Sequence, residues 1–208
     1  MGEEIEVEPW ETTQIEQLRI TPRYWSATGQ NIPEKLRGTD QWICASWDKV
    51  PRQATGMPAS VANPKHWTSY GEAIAALEDG QLCRLGFVFT TDDPYCGIDL
   101  DNCRDLNTGV IAPWALEIME AMNSYTEVSI SGTGLHIIVE AALSDGRGRR
   151  FDAAKLRKFG HEVDDEGRLE LYSQGRYFIL TGVRVPKQGT QIHKCQPQIN
   201  AIISRLGA

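Results

Sequence analysis

The most constraining stretch of this chain is Gly97-Ile98-Asp99-Leu100-Asp101. Strand side chains alternate in direction, so Ile98 and Leu100 point into a core while Asp99 and Asp101 share the opposite face. Two neighbouring carboxylates repel each other, and a divalent cation between them relieves that repulsion. An acidic, solvated strand face is the plainer alternative for so short a pattern. Leu169-Glu170-Leu171 repeats the arrangement with a third acid. Three acids on strand faces suit a two-metal site, which would align an oxygen nucleophile with a phosphate.

The rest of the pattern reads as an α/β (α+β) chain with a mixed or antiparallel sheet. A strand is expected over 41–47, then a Pro-rich loop over 49–64. Ser69-Tyr70-Gly71-Glu72 matches a capping box that opens a short helix ending near Gly80. Residues 84–90 and 96–101, joined by Thr91-Asp92-Asp93-Pro94, are expected to form a β-hairpin. Pro113 opens a helix reaching Met122, and two strands over 125–130 and 135–140 flank the loop Ser131-Gly132-Thr133-Gly134. A second hairpin is expected over 168–172 and 176–180 around Ser173-Gln174-Gly175, which would pair the strand of Arg176 with that of Glu170. A last helix over 198–206 follows. The expected organisation is an acidic extension and lead-in over 1–39 and a catalytic domain over 40–208, with two lobes dividing near residue 80.

Charge narrows the partners. The net charge is −7, but residues 1–18 hold six glutamates and no Lys or Arg, so the remainder carries only −1. Within it Arg147, Arg149, Arg150, Lys155, Arg157 and Lys158 face a single acid, Asp152. Such a cluster is either a nucleic-acid surface, with Arg149, Arg150, Arg157 and Lys158 as phosphate contacts, or a solvated loop and helix. No apolar run approaches the roughly 20 residues of a membrane span, and the start lacks the basic residues of a signal peptide, so a soluble, cytoplasmic protein is expected. The five cysteines include no Cys-x-x-Cys pair and read as buried thiols rather than disulfides or zinc ligands.

The glycine loop adds a further element of chemistry. In Ser129-Ile130-Ser131-Gly132-Thr133-Gly134-Leu135-His136, small residues let backbone N–H groups and hydroxyls approach an anion, and His136 follows on a strand. It is neither a P-loop nor a dinucleotide fingerprint, and a hairpin followed by a core histidine is the plainer alternative. Arg176 opens Gly175-Arg176-Tyr177-Phe178, where it could clamp a triphosphate or neutralise the acids.

In this order, Asp99-x-Asp101, Ser131 to His136, Glu170 in Leu-Glu-Leu-Tyr, and Arg176-Tyr-Phe-Ile-Leu-Thr-Gly182 resemble the archaeo-eukaryotic primase superfamily, nearest to the primase-polymerases of phages and plasmids. Trp47-Asp48-Lys49-Val50-Pro51 and Asn63-Pro64-Lys65-His66-Trp67-Thr68 extend the likeness, which covers about residues 40 to 185. The resemblance implies an RRM-like sheet packed against a second small α/β unit, with a nucleotidyltransferase centre in the cleft between them. It implies that Asp99, Asp101 and Glu170 hold Mg²⁺ or Mn²⁺ as a two-metal site. Ser131, Gly132 and His136 would contact the triphosphate of an incoming dNTP or NTP, joined by Arg176 on grounds of charge and position. Lys49 is a further candidate for phosphate or template contact. DNA template and primer are the implied partners. The third acid is Glu where many members have Asp, and there is no zinc-binding stem or ATPase motif, so a helicase would lie beyond Ala208 or on another chain. Two rival readings remain at this stage. A two-metal nuclease would use the same acids with water as nucleophile, and a non-catalytic sheet would bind single strands through Tyr172, Tyr177 and Phe178.

Overall fold

The computed structural model describes residues 29–80, 82, 84–186 and 188–207. The glutamate-rich segment 1–18, most of the expected 1–39 extension, and Cys83 lie outside the described residues. Among the described residues, nine strands form two antiparallel sheets. The first, in the order β2-β1-β3-β9, contains β1 (Trp42–Ala45), β2 (Pro51–Arg52), β3 (Arg84–Phe89) and β9 (Arg176–Leu180). The second, in the order β5-β6-β4-β8-β7, contains β4 (Tyr95–Asp101), β5 (Thr126–Val128), β6 (Leu135–Glu140), β7 (Arg149–Asp152) and β8 (Arg168–Tyr172). Helices α1 (Glu34–Arg37), α2 (Tyr70–Glu78), α3 (Pro113–Met122), α4 (Ala153–Leu156) and α5 (Gln196–Leu206) pack around them.

Several local expectations hold. Ser69 Oγ accepts from Glu72 N–H at 3.3 Å, and Ser69 N–H donates back to the Glu72 carboxylate at 3.2 Å, closing the capping box of α2. Such a cap stabilises a helix by about 1 kcal/mol. Strands β5 and β6 do form a hairpin over the glycine loop. Cys44, Cys96, Cys103 and Cys195 are all buried, and Cys96, Cys103 and Cys195 are free thiols. The last helix begins at Gln196, two residues early, because Pro197 suits a first turn that needs no N–H donor.

Other expectations are corrected. The Pro-rich loop contains β2, which pairs Arg52 with Cys44 at the sheet edge, where proline is tolerated. The basic segment contains strand β7, whose single inward side chain, Phe151, leaves no alternation to read. Neither expected hairpin on either side of the acids forms. Strand β3 lies between β1 and β9, whereas β4 lies between β6 and β8, so the two belong to different sheets. Strands β8 and β9 are separated in the same way. The turn chemistry is nonetheless real. Asp93 accepts from the backbone N–H of Thr90 at 2.9 Å and of Tyr95 at 2.7 Å, and from the Gln41 amide at 2.6 Å. It redirects the chain from one sheet into the other, because every residue of β3 is buried and needs partners on both sides.

Both crossovers sit at the same end of the sheets, since Gly175 N–H donates to the Phe89 carbonyl at 3.1 Å. An aromatic chain fills the seam between the sheets. Trp42 meets Phe87 at 5.2 Å, Phe87 meets Phe89 at 5.4 Å, and Phe89 meets Phe178 at 4.9 Å, all edge-on. A Cβ at Gly97 would lie 2.6 Å from the Phe178 ring and 2.7 Å from that of Phe89. Glycine there lets β9 and β3 press their rings onto the backbone of the strand that carries the acids.

Candidate active site

The register of the second sheet lines up five side chains in one row. Glu127 on β5 opposes His136 on β6, His136 opposes Asp99 on β4, Asp99 opposes Glu170 on β8, and Glu170 opposes Arg150 on β7. Directly opposed residues point to the same face, so the row reads carboxylate, imidazole, carboxylate, carboxylate, guanidinium. Asp101 stands two residues along from Asp99 on the same face.

Each member of the row is held by its neighbours. Glu127 is fully buried and accepts from the Tyr125 hydroxyl at 2.7 Å and from the backbone N–H of Thr181 and Gly182, both at 2.9 Å. Its fourth partner is His136 Nδ1 at 3.2 Å. A carboxylate engaged by donors can only accept, so Nδ1 carries the proton and Nε2 points at Asp99 Oδ1, 3.7 Å away. Burial opposes a charged imidazole, but the Glu127 hydrogen bond and the Asp99 charge outweigh it and hold the His136 pKa above the ordinary value. The ring stacks on Phe178 at 4.6 Å and 23°, which ties its orientation to the other sheet.

Asp99 is strained electrostatically. Burial pushes its carboxyl up to about 6; Asp101 and Glu170 push the same way, and His136 opposes them. Asp99 Oδ1 is buried without a hydrogen-bond partner. Glu170 faces Arg150 Nε at 3.2 Å and accepts from the Tyr172 hydroxyl. Arg176 approaches from the first sheet and stacks over the Tyr172 ring at 5.2 Å. The expected pairing of its strand with that of Glu170 is therefore replaced by a facing arrangement across the seam.

The glycine loop joins β5 to β6 beside the row. Ser131 Oγ lies 2.9 Å from Ser129 Oγ and 3.1 Å from Thr133 Oγ1, and Gly132 takes a φ of +83°. Gly134 abuts the end of β4, where a Cβ would lie 2.7 Å from the Leu100 carbonyl. Arg104, just past β4, donates to the Gly132 carbonyl at 2.8 Å and fixes the loop.

These elements bound a cleft of about 380 Å³. Asp99, Asp101, Ser131, His136, Glu170 and Arg176 line it together with Arg150 and Lys49. The other basic candidates point elsewhere. Arg149 pairs with Asp145 at 3.0 Å, Arg157 with Asp165 at 2.5 Å, and Lys158 donates to the Leu206 carbonyl at the end of α5 at 3.1 Å. Glu127, Tyr125 and Arg104 were not singled out from the sequence. No local signal marks Glu127, because a hairpin closing directly on the loop 131–134 would set Ser129 opposite His136, whereas the observed register sets Glu127 there.

The donor set fits a hard divalent cation, since it offers three carboxylates and one of their oxygens is buried without a partner. Among the described residues no three His, Cys, Asp or Glu side chains converge as a closed metal cage, and Glu170 is turned toward Arg150 and Tyr172. No helix among the described residues is long and apolar enough to cross a membrane.

No family model matches the chain. It is 39% identical over 146 residues to a protein named DNA primase-polymerase from Nitratiruptor phage NrS-1, a match covering 68% of this chain. The match covers 19% of that relative, so the chain spans about a fifth of its length. A resemblance first carried by short motifs thus extends over most of the chain, and in the fold Asp99, Asp101, Ser131, His136, Glu170 and Arg176 from those motifs line one cleft: the chain belongs to the phage primase-polymerase family.

Proposed function

We propose that this chain is the catalytic unit of a metal-dependent DNA polymerase or primase that adds nucleotides to a 3′-hydroxyl on a nucleic-acid template. The replication of a phage, plasmid or other mobile element is its setting. The observation that carries the reading is the row across five strands, in which Asp99 stands between His136 and Glu170. A sheet that merely bound single strands would have no use for a half-buried, repelling pair of carboxylates on its working face. Residues 40–208 act as one catalytic unit, and a helicase, elsewhere in a longer protein or on another chain, would open duplex ahead of it.

In this reading Asp99, Asp101 and Glu170 hold Mg²⁺ or Mn²⁺. When bound, the ions supply charge neutralisation at the transferring phosphate and make the attacking hydroxyl easier to ionise. The 3′-hydroxyl oxygen forms a bond to the α-phosphorus in line with the leaving oxygen, and pyrophosphate departs. Ser131 offers its hydroxyl and His136 its Nε2 edge to the triphosphate, while Gly132, its φ at +83°, shapes the turn that presents Ser131. Lys49 and Arg176 add two permanent positive charges against the three acids. Glu127 keeps the imidazole edge in place by engaging Nδ1.

The test is primer extension with labelled nucleotide on wild type, Asp99→Asn and Asp101→Asn. Incorporation should require Mg²⁺ or Mn²⁺ and fall by about a hundredfold or more in both variants, as loss of a metal ligand does. Degradation of labelled DNA without added nucleotide would favour a nuclease instead. Strand binding without either reaction would leave only a binding module.

A further inference from the structure

One large aromatic side chain near the cleft is exposed on a rigid mount. Trp47 occupies the turn between β1 and β2 and is 53% exposed, although a tryptophan ordinarily gains much from burial. The turn around it is tightly tied. Ser46 N–H donates to the Val50 carbonyl at 3.1 Å, Lys49 N–H to the Ser46 carbonyl at 3.0 Å, and the Tyr177 hydroxyl to the Lys49 carbonyl. Lys49 itself takes a φ of +64°, a conformation that a loose turn would not impose on a lysine.

The indole has its own support. Arg84, only 6% exposed, donates from Nε and Nη2 to the Trp47 carbonyl at 3.1 and 3.0 Å. Its guanidinium carbon lies 4.7 Å from the centre of the Trp47 ring. The indole thus rests on a cation, and the ring borders a hollow of about 350 Å³ that Lys49, Arg84, Ile130 and Ser131 also line. The hollow shares Lys49, Ile130 and Ser131 with the catalytic cleft. An ammonium and a hydroxyl therefore stand at the junction, with a flat apolar ring beyond them.

Anion contacts at one end and a mounted aromatic plane at the other match the two halves of a nucleotide. We propose that Trp47, backed by Arg84, is a stacking platform for a nucleobase whose phosphates lie toward Ser131 and Lys49. This subsite rests on the nucleotidyltransferase reading of the neighbouring cleft. The base belongs either to the incoming nucleoside triphosphate or to an unpaired position of the template strand. Stacking on an exposed aromatic is sequence-tolerant, because every base has a π-face.

The experiment compares wild type, Trp47→Phe and Trp47→Ala, each first checked by circular dichroism for an unchanged fold. Four probes are titrated with Mg²⁺ present: a dNTP, inorganic tripolyphosphate, a short oligodeoxythymidine, and an abasic strand of the same length. Trp47→Ala should weaken either the dNTP or the oligodeoxythymidine by roughly five- to a hundredfold, the span of stacking one base on an aromatic ring. Trp47→Phe should stay within about threefold of wild type, and the two base-free probes should bind wild type and Trp47→Ala alike. Loss on the dNTP identifies the incoming base, and loss on the oligonucleotide identifies the template. If Trp47→Ala binds both base-carrying probes within about twofold of wild type, or loses the base-free probes equally, the platform is refuted while the catalytic reading stands. A wild type that binds none of the four probes refutes both.

Discussion

Replacing Glu127 with alanine removes the acceptor shared by four donors in a site with no solvent access. The Thr181 and Gly182 N–H groups belong to the backbone just after β9 and cannot turn away, so each keeps an unmet desolvation cost of about 1–3 kcal/mol. The Tyr125 hydroxyl can rotate and the His136 ring can lose its proton, so their shares are smaller. With the cavity added, the expected loss is about 3–5 kcal/mol, comparable to breaking one partner out of a buried ion pair. That is a large part of the roughly 5–15 kcal/mol that holds a domain folded. Urea unfolding followed by circular dichroism measures it, with an unchanged m-value as the sign that only stability has moved. Glu127→Gln keeps the volume but turns one acceptor into a donor facing other donors, so it should recover less than half of the loss. An alanine variant within about 1 kcal/mol of wild type, or a glutamine variant equal to wild type, would show that the carboxylate is not what holds His136 and the Thr181-Gly182 backbone.

Two other substitutions probe different parts of the fold. Gly97→Ala forces a methyl group to within 3 Å of the Phe178 and Phe89 rings, so thermal unfolding should show a loss of about 1–3 kcal/mol, and an unchanged midpoint would mean the seam is looser than drawn. Arg150→Gln, in the cleft, should reduce the log–log salt slope of oligonucleotide binding by about 0.7, whereas Arg157→Gln, whose partner is Asp165, should leave the slope alone. Anisotropy across a salt series reads both, and equal slopes for wild type and Arg150→Gln would move the strand off this edge.

What could be read from the chain was whatever neighbouring residues decide among themselves. The alternation around Asp99 and Glu170, the capping box at Ser69 and the glycine loop before His136 are local signals, and each appears as written. What could not be read was pairing. The turns at Asp93 and Gly175 carry the same residues as a true hairpin turn, yet of the three hairpins that the sequence suggests around the acids and the glycine loop, β5 to β6 is the one that closes on itself. The other two open because β3 finds β9, and β4 finds β8, far along the chain. Glu127 was invisible for the same reason. Alone in Thr126-Glu127-Val128 it looks like a surface acid, and its burial depends on the backbone at 181 and 182 arriving from the other sheet.

The two sheet crossovers also bear on how the molecule comes into being on the ribosome. Central strand β3 lacks one neighbour until β9 has emerged, with Gly86 waiting for Ile179, and Asp99 has no partner on its β8 side until Glu170 follows. Contacts so distant in sequence make folding slow, because the loop must close before its contacts contribute. A nascent chain that stops before residue 176 presents the apolar strand β3 with an open edge, which invites pairing with other chains. Translation therefore completes the catalytic cleft and protects the growing chain from aggregation with the same five residues, Arg176–Leu180.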